Sequence, residues 1–130
     1  RMLLYRELDH LQSDDELKAY RQRLIDRFGL VPKEGEELMH VVTLRRLGKR
    51  LGAEKIMLKT GSMQMQFVSN VNSPFYKSQM FSRVINYVTT HVRECALKEK
   101  NNKRYLRIKD VTSVEQAVEL LRKISSLELK

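Results

Sequence analysis

With a single cysteine, Cys95, the chain has no partner for an intramolecular disulfide and no thiolate set for a Cys-rich zinc site, a pattern that fits a reducing compartment. We therefore expect it in the cytoplasm. Long apolar runs are missing too. The longest uncharged stretch, Thr60 to Tyr76, is full of Ser, Asn and Gln and holds Gly61 and Pro74, so neither a membrane span nor a secretory signal is expected. No G-x-x-x-x-G-K-[ST] loop is present to cradle phosphates, and Gly29, Gly35, Gly48, Gly52 and Gly61 have simpler uses in caps, turns and close packing. His10, His40 and His91 are not paired with one another at i,i+3 or i,i+4, which leaves no metal-ligand helix motif. A G-x-S-x-G elbow is absent, and Cys95 falls on an alternating apolar position, where a thiol acts as a small hydrophobe rather than a nucleophile. The abundant helical carboxylates read as solvated faces, not as an acid–base pair in a cleft. No catalytic, cofactor-binding or metal-binding residue is expected, and none is assigned.

What is present is a chain of 130 residues, 42% hydrophobic, with 25 Lys+Arg against 16 Asp+Glu, a net charge of +9. A chain of this length buries roughly two thirds of the surface its unfolded form exposes, enough for one core, so residues 1–130 are expected to be a single domain and not a disordered tail. It opens on Arg1 within an apolar pattern that no capping residue precedes, which suggests a piece of a longer polypeptide.

Leu4, Leu8 and Leu11 recur at helical spacing. Ser13-Asp14-Asp15-Glu16 has the form of a capping box that opens a second helix, with Leu17, Tyr20, Leu24 and Phe28 as its buried stripe and Gly29 as its stop. Leu38, Val41, Leu44, Leu47 and Leu51 give the apolar face of a third, which Gly52 ends. The period then falls to two. Lys55–Thr60 and Met63–Val68 alternate around Gly61-Ser62, a hairpin with Met63, Met65 and Phe67 inward. Phe81, Val84, Ile85, Val88 and Val92 restore a helical face. Cys95 and Leu97, then Leu106 and Ile108, alternate around Asn101-Asn102, a second hairpin. Two overlapping capping boxes at Thr112-Ser113-Val114-Glu115-Gln116 open a last helix. The order is αααββαββα, an α+β fold: three N-terminal helices, a β-hairpin, a helix, a second β-hairpin and a C-terminal helix.

Two features stand above this background. Residues 53–130 hold 14 Lys+Arg against 7 Asp+Glu, with Lys98, Lys100, Lys103, Arg104, Arg107 and Lys109 concentrated on the second hairpin. With Tyr105 among them, these residues read either as a nucleic-acid contact, through Lys100, Lys103, Arg104 and Arg107, or as a solvated edge that discourages aggregation. On the first alternative all four lie on the solvent side of the strands. The second feature is Asp26, an acid in the last turn of a helix, where the backbone carbonyls already present negative charge. Either Arg23 or Arg27 compensates it locally, or a cation outside this chain segment does.

Leu4-Tyr5-Arg6-x-Leu8, Asp26-Arg27-Phe28-Gly29-x-x-Pro32, Leu44-Arg45, Leu51-Gly52 and Lys55-Ile56 together resemble the C-terminal domain of the bacterial transcription-repair coupling factors, the Mfd family. The likeness covers residues 1 to about 68 and is weaker beyond the first hairpin. It implies one domain of an ATP-dependent double-stranded DNA translocase that displaces stalled RNA polymerase and recruits nucleotide excision repair. The resemblance further implies that this domain is not the motor but a regulatory module, which packs on the N-terminal UvrB-like region of the same polypeptide, represses the enzyme and masks the surface that recruits UvrA. Family members often carry an acid three residues before the Asp of the Asp-Arg-Phe-Gly element; here that position is Arg23. The resemblance thus assigns Asp26, Arg23 and Arg27 to an interdomain contact. An independent basic nucleic-acid-binding module is the competing reading.

Overall fold

The protein is described by a computed structural model over residues 6–129. Leu4 and Tyr5, at the start of the expected first helix, lie outside the described residues. By compactness the chain divides into two units, residues 1–46 and 47–130.

In the first unit the expected opening helix is a short 3-10 helix, Arg6–His10, closed by a bond from Leu11 N–H to the Leu8 carbonyl. The capping box cuts it short. The Ser13 hydroxyl accepts from Glu16 N–H at 3.1 Å and the Glu16 carboxylate accepts from Gln12 N–H at 2.7 Å, so the backbone before Ser13 is committed to starting the next helix. That helix, α1 (Asp14–Phe28), ends where Gly29 takes φ +83° and gives its N–H to the Ile25 carbonyl. After Pro32 comes α2 (Lys33–Arg50). Leu8, Tyr20, Leu24 and Met39 form the core of this unit, flanked by Leu11, Leu17, Val31 and Val42.

Two expected stripe positions fall outside the core. Phe28, the last residue of α1, is 48% exposed and lies beneath the Arg27 guanidinium, 5.3 Å from the ring centre. Leu38 is exposed as well, because the buried face of α2 here runs through Gly35, Met39 and Thr43, a quarter turn away. Thr43 satisfies its hydroxyl at the Met39 carbonyl, 2.9 Å away.

The second unit is a helix-backed antiparallel sheet. Strands β1 (Ala53–Lys59) and β2 (Ser62–Phe67) form the first hairpin, β3 (Cys95–Lys100) and β4 (Lys103–Lys109) the second, and the sheet order is β1-β2-β4-β3. Each hairpin closes on two left-handed residues, Thr60-Gly61 and Asn101-Asn102. The first turn therefore sits one residue earlier than expected, because Thr60 accepts φ +48° and Lys59 pairs with Ser62. Between the hairpins run a 3-10 helix, Pro74–Lys77, and α3 (Gln79–Thr90), capped by Ser78; α4 (Val114–Ser125) follows, capped by Ser113. Of the two overlapping boxes the structure uses the second: Ser113 takes Gln116 N–H, and the Gln116 carbonyl oxygen takes Thr112 N–H at 2.8 Å.

Met63, Met65 and Phe67 are buried as expected, together with Leu106, Ile108, Val84, Ala117, Leu121 and Ile124. Phe67, Phe75, Tyr76 and Phe81 form an aromatic cluster with ring centres 5.2–6.2 Å apart. Val92, by contrast, is 71% exposed, since α3 stops at Thr90. There the Thr89 and Thr90 hydroxyls bond back to the Asn86 carbonyl and His91 Nδ1 lies 2.8 Å from the Tyr87 carbonyl, a set of local bonds that competes with helix continuation. Leu97 faces the same side as Cys95 but is exposed, because β3 is an edge strand. Among the described residues no helix is long and apolar enough to cross a membrane.

Candidate functional site

The last turn of α1 places five consecutive residues, Asp26 to Leu30, at the surface. Asp26 accepts one hydrogen bond, from the Gln22 amide one turn earlier, at 2.9 Å. Neither neighbouring arginine compensates it. Arg23 reaches instead to Glu7, 2.6 Å away, with its guanidinium 5.6 Å from the centre of the Tyr20 ring, and Arg27 lies over Phe28. The three residues singled out from the sequence thus share one helix end without forming an ion pair among themselves. Asp26 keeps a carboxylate at the negative end of a helix with no cation of the described residues against it. Beside it stand two exposed apolar side chains, Phe28 and the 67%-exposed Leu30.

Elsewhere in this unit arginines are matched to acids: Arg21 to Glu36 at 2.5 Å, Arg45 to Asp9 at 3.0 Å and Arg46 to Asp14 at 2.5 Å. Arg46 is the most enclosed of them. These pairs join α1, α2 and the preceding 3-10 helix, which Arg23–Glu7 also does.

In the second unit the basic hairpin is divided by its own pleat. Lys100 and Lys103 stand opposite each other beside the turn, and Arg107 points to the face away from the helices. Arg104 does not. It shares the parity of Leu106 and Ile108, so it lies on the helix-backed face, 5.0 Å over the Tyr76 ring, with Nη1 buried and without a hydrogen-bond partner. The solvent-side expectation is therefore corrected at Arg104, and for the same reason the side chain packs with the aromatic cluster. Strand register brings other cations to Arg107's face that the hairpin alone does not contain. Lys59, Ser62 and Lys109 form one row across β1, β2 and β4; Lys55, Gln66, Tyr105 and Lys98 form another across the whole sheet. The signal in the sequence was Lys55-x-Met57-x-Lys59, but joining it to the second hairpin requires the β2–β4 pairing.

Chemistry is sparse. Cys95 is buried, and burial first, then Glu94, pushes its thiol above the ordinary value; burial also raises the Tyr87 phenol, aided by Cys95 and Glu94. An open depression of about 380 Å³ between the end of β4 and α4 is lined by Glu94, Lys109, Glu119 and Lys123, charges of both signs without a nucleophile beside them. Among the described residues no group of three or more His, Cys, Asp or Glu side chains could hold a metal ion.

The molecule is thus a two-unit α+β protein whose distinctive groups lie on open surfaces. The TRCF domain family profile matches residues 1–78, and the chain belongs to the TRCF domain family. It is 26% identical over 125 residues to the transcription-repair-coupling factor of Rickettsia conorii, covering 95% of this chain and 10% of that protein. To the transcription-repair-coupling factor of Escherichia coli it is 32% identical over 56 residues, which is 43% of this chain and 5% of that one. The chain therefore spans about a tenth or less of the length of these curated relatives. A crystal structure of the C-terminal domain of a transcription-repair coupling factor superposes with a TM-score of 0.71 at 14% identity, over 95% of this chain and 80% of the other, a likeness of fold.

Proposed function

We propose that this chain is a non-catalytic, autoinhibitory protein-interaction module of a cytoplasmic transcription-repair coupling factor. It acts as one regulatory domain. The parent chain is an ATP-dependent double-stranded DNA translocase that displaces stalled RNA polymerase and recruits nucleotide excision repair, and this domain packs on its N-terminal UvrB-like region and masks the surface that recruits UvrA.

The observation that carries the reading is Asp26, an exposed carboxylate at a helix C-terminus that no cation of the described residues offsets, set beside exposed Phe28 and Leu30. A locally unfavourable acid next to an apolar patch fits a surface completed by a cation-bearing partner. Arg27 and Arg23 flank it, Arg27 as the rim of the same patch and Arg23 as the support that ties α1 to Glu7.

The test is capture of the separated N-terminal region of the parent polypeptide by this chain. Wild type binds and Asp26→Lys does not; equal capture by both, or by neither, overturns the assignment.

A further inference from the structure

The face of the sheet turned away from α3 and α4 is rimmed by cations. Its outward positions carry Lys55 and Lys59 on β1, Lys98 and Lys100 on β3, and Lys103, Arg107 and Lys109 on β4, with no Asp or Glu at the same parity of the paired register. All of these cations are exposed, and none forms an ion pair with the described residues. Four arginines of the first unit, Arg21, Arg23, Arg45 and Arg46, are matched to acids, so the chain does not lack carboxylates; the one nearest this face, Glu94, stands opposite Lys109 just past the end of the paired register. Lys100 sits directly opposite Lys103, a like-charge pair that weakens the hairpin when nothing anionic is present.

Protection of sheet edges accounts for only part of this pattern. Lysines on β1 and β3 blunt the two edges, but Lys103, Arg107 and Lys109 belong to a central strand, where no edge exists to protect. A face designed only for solubility would also mix signs.

The middle of the face is of another kind. Gln64 and Gln66 on β2 lie beside Arg107 and Tyr105 on β4, and Tyr105 is flanked by Gln66 on one side and Lys98 on the other. A partly exposed aromatic ring and two partly exposed amides are thus rimmed by cations on a surface about 14 Å across and about 20 Å along the strands. Neighbouring cations fall within one Debye length of each other at 0.1 M salt, so they act on a polyanion together.

We propose that this open sheet face binds single-stranded nucleic acid: the rim cations neutralise phosphates while Tyr105 stacks on a base and Gln64 and Gln66 meet base edges. A single strand is the better match than a duplex, because an aromatic ring on an open sheet needs an accessible base face, and a duplex buries its bases in the stack. The face shares no residue with the Asp26 assignment, so either assignment can fail alone.

Fluorescence anisotropy of the chain with a labelled twelve-residue oligothymidylate, a duplex of the same length and a polyglutamate peptide tests the proposal. The oligothymidylate binds most tightly, with a log–log salt slope of about −3.5 to −5, as five to seven phosphate contacts give. Lys55→Gln with Lys59→Gln, remote in sequence from the second hairpin, weakens binding roughly tenfold at 50 mM salt, as does Lys98→Gln with Lys100→Gln. Tyr105→Leu weakens it roughly five- to hundredfold and leaves the slope unchanged, which separates stacking from charge. Melting temperatures of these variants match wild type, except that Lys98→Gln with Lys100→Gln, which relieves the Lys100–Lys103 repulsion, melts at or slightly above it, and Asp26→Lys binds as wild type does. A duplex bound as tightly as the single strand, polyglutamate bound as tightly as either, or full binding by the β1 pair would each overturn the proposal.

Discussion

The Arg23 guanidinium lies 2.6 Å from the Glu7 carboxylate, which turns the cation one helical turn before Asp26 toward the preceding 3-10 helix. Asp26 is left with a neutral amide, Gln22, as its partner. An exposed pair such as Arg23–Glu7 contributes about 0–1 kcal/mol, so its main effect is geometric.

Asp26→Lys should therefore uncouple stability from regulation. A cation suits a helix C-terminus, so the melting temperature of the isolated chain stays level or rises, by a few tenths of a kcal/mol in stability terms. On the proposed function, the same change in the parent enzyme should relax repression, raising basal ATPase and exposing the repair-recruitment surface together. Unaltered repression would reduce Asp26 to a solvated acid, and a destabilised chain would give it a structural role.

Nucleotide turnover is a separate matter. The pure chain should neither bind nor hydrolyse ATP, as its sequence contains no phosphate-cradling loop. Turnover that a point mutation within the chain abolishes would refute this.

Three glycines of the second unit should rank in a fixed order when changed to Ala. At Gly52, φ is +78° and an added Cβ would stand 2.4 Å from the Phe75 ring, inside the aromatic cluster, so a loss of roughly 2 kcal/mol or more is expected. Gly61 has a similar φ, +76°, but open space around it, which limits the loss to about 1–2 kcal/mol. Gly48 meets the Cδ1 tip of Ile56 at 2.5 Å, a flexible contact, and gains about 1 kcal/mol of helix propensity, so the net change is small. Urea denaturation measures all three.

Arg104→Ala and Lys103→Ala should differ in the same assay. Loss of the guanidinium over Tyr76 costs about 1 kcal/mol, whereas Lys103, exposed beside the turn, costs a few tenths at most. Equal losses would place Arg104 in solvent.

At alkaline pH the Cys95 thiol and the Tyr87 phenol, both raised by burial, hold their protons in the folded chain above the pH at which the unfolded chain releases them. The native state then binds more protons than the unfolded state, and stability falls as pH rises through the unfolded values, first that of the thiol near 8.5 and then that of the phenol near 10. Cys95→Ala removes the earlier part of the fall in a thermal melt series from pH 7 to 11. Native Cys95 should also react with a thiol reagent far more slowly than the urea-unfolded chain.

Local signals in the sequence were decisive where the chemistry is local. Ser13 with Glu16, Gly29, and Asn101-Asn102 each specify a cap or turn from a few adjacent residues, and each is found in that role. The charge of Arg104 suggests a solvent position, but its spacing from Leu106 and Ile108 marks it as inward, where it lies over Tyr76. Other features depend on residues far apart: the Arg23–Glu7 pair joins two helices, and Lys59 shares a row with Lys109 only through the pairing of β2 with β4. Phe28 and Leu38 carry helical periodicity, yet the register of the first-unit core, set by Met39 and Thr43, leaves them outside.

The strand order has a consequence for how the chain is made. During synthesis β1 and β2 emerge first, and the outer edge of β2 has no partner until α3, β3 and finally β4 have followed. Throughout that interval the first hairpin carries Met63, Met65 and Phe67 on an uncovered face next to an open edge, the combination most prone to pairing with another nascent chain. Lys55 and Lys59, on the opposite strand, are already in place, and their mutual repulsion between copies is the safeguard available before the sheet is complete.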